Sequence, residues 1–136
     1  MLTKFGSGLQ PYALGLLRIF AALNFITHGL QEFGFFDGKL REFGQLLWFA
    51  GVNEVIFGTL LLLGIFARPA ALLMSGQMAI AFFRSHFPGG FWPIQNGGEL
   101  AVLYCFIWLL IFAAGPGKFS LEPVLFGRGG KHRSGV

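Results

Sequence analysis

In this sequence of 136 residues, few side chains can trade protons or hold charge within apolar stretches. They are Arg18, His28, Glu54, Arg84, His86 and Glu99, with the amides of Asn24 and Asn96 close by in sequence. Imidazole and carboxylate groups are the usual general acids and bases, and an arginine beside them steadies an anion formed by the transfer. Asn24 and His28 are four apart and share one helix face. Arg18 and His28 are ten apart, which at about 100° per residue leaves them about 80° apart, on adjoining walls of one cavity. Glu54 calls for a cationic partner, and Arg18 or Arg84 could supply it. The bland alternative is that such a pair only pins helices together. His28 could likewise serve as a helix anchor, and Glu99 as an acidic residue stabilised by a helix N-terminus. No Glu-x-x-His pair occurs and neither histidine has a haem motif around it, so no bound metal or haem is expected. Cys105 is the single cysteine. That excludes an intramolecular disulfide and a CxxC redox pair, and its apolar surroundings suggest a small buried hydrophobe.

The elements that must position these groups follow from composition. Hydrophobic residues make up 54% and charged residues only 12%, against roughly 25% charged in soluble domains. One integral membrane domain, all-α, is expected. Four apolar stretches run from about Pro11 to Phe33, Leu46 to Phe66, Pro69 to Phe87 and Gly98 to Gly115. Each approaches the roughly 20 residues that cross a bilayer, and none alternates with the period of a membrane barrel strand. Arg18 interrupts what would be a signal-peptide core, so an uncleaved first helix is expected. Arg68-Pro69 reads as a tight turn, and Gly115-Pro116-Gly117 stops the last helix. Gly15, Ala22 and Gly29 recur every seven residues, as do Gly51 and Gly58, a pattern for close helix packing. The segment from Phe87 to Gly98 is rich in aromatics and glycine, and is expected to dip into the membrane interface.

Four spans put both ends on one side. That side carries Lys4, Arg68, Lys118, Arg128, Lys131 and Arg133, so both termini are expected in the cytoplasm, and the net charge of +4 reports orientation, not a nucleic-acid partner. By depth, Arg18 falls in the inner half. His28, Glu54, Arg84, His86, Asn96 and Glu99 gather in the outer half.

These residues carry a resemblance. Leu17-Arg18 with His28-Gly29, Glu54 with Gly58, the run Leu61 to Arg68, His86 with Phe87-Pro88-Gly89-Gly90-Phe91-Trp92, Asn96-Gly97-Gly98-Glu99 and Tyr104 together resemble the DoxX family. The match covers about Pro11 to Glu122. It implies a four-helix protein of the cell inner membrane, associated with oxidoreductases and related to the membrane subunits of a thiosulfate:quinone oxidoreductase. One departure is that Gln31-Glu32 stand where family members commonly carry a lysine shortly after the His-Gly pair.

The expected function is therefore a membrane subunit of a redox system with a pocket for a quinone or small substrate. His28 and Glu54 would exchange protons, while Arg18, Asn24, Arg84, His86, Asn96 and Glu99 bind. The lipid bilayer and a redox protein partner supplying electrons are the implied companions, with a homo-oligomer as a further option. The rival readings are a non-catalytic assembly subunit and, as an oligomer, a small-solute carrier.

Overall fold

The computed structural model describes residues 2–127. Arg128, Lys131 and Arg133, which entered the orientation argument, lie outside the described residues. Among the described residues the chain is helical throughout, with no strand: α1 (Leu2–Gln31), α2 (Leu46–Leu63), α3 (Ala67–Ala81), α4 (Pro93–Asn96), α5 (Glu99–Ala114) and α6 (Glu122–Phe126). A π-turn, Phe82–His86, and a 3-10 turn, Phe87–Gly89, prolong α3. The first helix begins well before Pro11, which lies inside it. Proline costs one amide there, but its carbonyl gains the Lys118 N–H at 2.9 Å.

The helix ends obey local chemistry. Gly64 closes α2 in the left-handed region at φ 70°. Its N–H bonds Leu61 and the Ile65 N–H bonds Leu60, the pairing that satisfies the last carbonyls of a helix. The reversal into α3 is therefore made by Gly64, Ile65 and Phe66. Arg68-Pro69 is not the turn; it sits in the first turn of α3, where a missing amide proton costs nothing because it would have no helical partner.

The long helices form two close pairs. α1 lies along α2 and α3 along α5, and lighter α2–α3 and α1–α5 contacts join the pairs. Small residues set the first pairing: a Cβ on Gly29 would stand 2.8 Å from the Gly51 carbonyl and 2.9 Å from the Glu54 Cβ. Inward-facing Ala101, Tyr104, Trp108 and Ile111 on α5 recur at spacings of three and four, and meet Ala67, Ala70, Ala71, Met74 and Met78 of α3. The opposite faces are apolar but exposed, with Phe20 at 63%, Ile80 at 64% and Phe106 at 64%. A water-soluble protein would not leave such faces bare, whereas lipid accepts them. Two helical segments, Lys4–Gln31 and Leu46–Leu63, are long and apolar enough to cross a membrane by length and composition.

Candidate functional site

A cavity of about 320 Å³ opens between the two helix pairs near the end of α1. Its polar lining is His28 and Glu32 from the end of α1 and just beyond, Glu54 from α2, His86 from the π-turn and Tyr104 from α5. Phe25, Met78, Leu100 and Ala101 supply apolar wall. The Tyr104 ring meets Phe25 at 5.3 Å and stacks on Trp108 at 6.2 Å, and His28 stands edge-on to it at 6.2 Å. The Trp108 indole N–H lies fully buried without a hydrogen-bond partner.

The π-turn decides which end-of-helix residues face this space. In an α-helix, residues five apart point about 140° away from each other. Ala81 and His86 nevertheless both line the cavity, because i→i+5 closure returns the chain to the same face after five residues. Regular helical phase past Ala81 would have put Ser85, seven residues after Met78 and four after Ala81, on the cavity side. Instead Arg84 and Ser85 line a separate groove of about 480 Å³ between α2 and α3.

Among the described residues, no arginine pairs with Glu54. The Gln77 amide of α3 donates to its Oε1 at 3.2 Å and to the Ala50 carbonyl at 3.4 Å, while Asn53 donates to the Gln77 Oε1 at 3.3 Å. Arg18 is fully buried elsewhere. Its guanidinium donates to the carbonyls of Leu61, Leu62, Pro116, Lys118 and Phe119 at 2.6–3.1 Å. All five N–H donors are thereby used, and none is left for a ligand or for Glu54.

The remaining expected residues fall around the cavity's edge. Asn24 lies against the Tyr104 side chain. Asn96 shapes the loop: its Nδ2 donates to Gly90, its Oδ1 accepts the Gly98 N–H, and its backbone carbonyl meets His86 Nδ1 at 3.3 Å. Glu99 is exposed in the first turn of α5 and does not line the cavity. Of the eight expected residues, the fold thus brings His28, Glu54 and His86 together in the lining. Among the described residues, no three of His, Cys, Asp and Glu approach to metal-binding distance.

The DoxX family model matches residues 13–87, more than half of the chain and the segment holding His28, Glu54 and His86. The chain belongs to the DoxX family. It is similar to an uncharacterized protein of Haemophilus influenzae, 40% identical over 125 residues, covering 86% of this chain and 93% of the relative. It is also similar to an uncharacterized membrane protein of Mycobacterium tuberculosis, 32% identical over 133 residues, covering 82% and 80%. No solved structure matches. This DoxX-family chain is accordingly a membrane protein.

Two cavity residues, Glu32 and Tyr104, and the partner of a third, Gln77, escaped sequence reasoning on this DoxX-family chain. Glu32 stood only as part of the departure from the family's lysine; in the fold it lines the cavity, the Arg41 Nε donates to its Oε2 at 2.6 Å, and its backbone carbonyl accepts the Arg41 N–H. Tyr104 stood out only through the resemblance. A signal was available, since Ala101, Tyr104 and Trp108 share one helix face. Gln77, the hydrogen-bond partner of Glu54, carried no charge to attract notice.

Proposed function

We propose that α1, α2, α3 with its π-turn, and α5 cross the inner membrane as one four-helix bundle, with both termini cytoplasmic. On this reading the cavity lies in the outer half of the bilayer and takes the head of a quinone, or a similarly small polar substrate. The aromatic loop from Phe87 to Gly98 rests in the outer interface. The chain acts as the membrane subunit of a redox system, and a partner protein supplies the electrons.

The observation that carries this reading is the placement of two proton-exchanging groups, His28 and Glu54, on neighbouring helices around one largely apolar cavity. Its volume of about 320 Å³ falls in the range of small-molecule sites. Reducing a quinone to a quinol adds two electrons and two protons. His28 and Glu54 would each deliver one proton to a quinone oxygen. Among the described residues no arginine lines the cavity, so the task of steadying the intermediate anion passes to the Tyr104 hydroxyl and the His86 imidazole.

The test is purification in mild detergent, analysis of the co-extracted lipid for quinone, and thermal melting with a short-chain quinone added. Co-purifying quinone and an upward melting shift are expected. No quinone and no shift would overturn the reading.

A further inference from the structure

The cavity and the groove between α2 and α3 are neighbours divided by a thin wall. Ala81 lines both spaces. Gln77 lines the groove and donates to Glu54, which lines the cavity. The bonds across this seam run from 3.2 to 3.4 Å, at the weak end of the hydrogen-bond range. No packed glycine contact locks the seam as Gly29 and Gly51 lock α1 to α2. The groove itself, about 480 Å³, is walled by Leu46, Leu47, Phe57, Leu72, Leu73 and Ile80. Several of these side chains are exposed on the lipid-facing side. An elongated apolar groove, separated by one amide side chain from a polar cavity, fits a molecule with a polar head and a hydrocarbon tail.

We propose that this groove holds the isoprenoid or alkyl tail of the quinone whose head occupies the cavity, and that the Gln77 amide is the movable gate between them. The assignment rests on the proposed function. It goes further in naming the tail site, the seam through which the ligand arrives from the bilayer, and the residue that opens it. Swinging Gln77 away breaks only its own three bonds and frees the Glu54 carboxylate to meet the incoming head. Once the head is seated, the tail fills the groove on the bilayer side.

Gly76 provides a clean probe. It lines the groove, and a Cβ built there meets nothing within 4 Å. Gly76→Phe therefore adds a ring on the groove wall from a Cβ position that is free of contacts, and Gly76→Ala leaves the groove open. The full chain is placed in lipid nanodiscs with a quinone carrying a photoreactive diazirine at its tail end, and the labelled residues are mapped by mass spectrometry.

Labelling concentrated at 46–57 and 72–80, displaced by excess unlabelled tailed quinone, is expected. It should fall severalfold in Gly76→Phe and persist in Gly76→Ala. Labelling spread evenly over the lipid-facing surface, concentrated on the α1–α5 seam, or unchanged in Gly76→Phe would overturn the tail assignment. A tailless quinone, which needs only the cavity, is measured in parallel by thermal shift. Its binding to wild type with the tail labelling misplaced removes the tail site alone. Its failure to bind wild type removes the head pocket, and the tail site with it.

Discussion

Gln77 on α3 donates to the Glu54 carboxylate on α2 at 3.2 Å, across the seam between the two helix pairs. A neutral amide thus meets the one charged side chain of α2, which also lines the cavity. An arginine in the same place would have locked the group as an ion pair. An amide imposes no such lock, which fits the proton exchange proposed for Glu54.

Glu54→Gln keeps the shape and a hydrogen-bonding group beside Gln77 but removes the titrating proton. Folding is expected to survive, while quinone-dependent turnover with the electron-supplying partner falls by about 10²–10⁴, the usual worth of a general acid. Equal turnover in wild type and Glu54→Gln, at equal protein levels, would rule out a proton-transfer role.

Arg18 joins α1 to the last turn of α2 and to the chain after α5. Arg18→Ala strips hydrogen bonds from five carbonyls, so a loss of at least about 3 kcal/mol is expected. Arg18→Lys, with three donors on a compact head in place of a planar fork, recovers only part of it. The partly buried Cys105 thiol offers a reporter, because its reaction with a fluorogenic maleimide on heating marks unfolding. A short-chain quinone should bind the folded fraction of Arg18→Lys as tightly as wild type, since the guanidinium does not line the cavity.

Two glycines should answer alanine in opposite directions. At Gly29 the added methyl runs into the Gly51 carbonyl and the Glu54 Cβ, so α1 and α2 must separate, at a cost of about 1–3 kcal/mol. At Gly76 nothing is near, and the helix gains up to about 1 kcal/mol from the lost flexibility of glycine. Melting temperatures in one detergent decide it: Gly29→Ala lower than wild type, Gly76→Ala equal or higher.

Orientation can be read with cysteines in a Cys105→Ala background. A thiol at Asp37, in the loop after α1, should react with a membrane-impermeant maleimide added outside intact cells. A thiol at Lys4 or Lys118 should react only after permeabilisation. The reverse pattern would invert the bundle and place the cavity in the cytoplasmic half.

The helical class, the membrane setting, the close-packing glycines and the candidacy of His28, Glu54 and His86 were legible from composition and local spacing. Those properties depend on a residue's own chemistry and its near neighbours in sequence. Three features waited for the tertiary structure. The π-turn at Phe82–His86 puts His86 at the cavity wall where an unbroken helix would put Ser85, and a change of helical phase leaves no mark in a hydrophobic pattern that is apolar on every side. Arg18 finds its partners among backbone carbonyls 43 to 101 residues away. Every residue carries a carbonyl, so no sequence spacing can say which ones a guanidinium will meet. Glu54 takes an uncharged partner, because in this fold α3 brings Gln77 to it and both arginines are carried elsewhere.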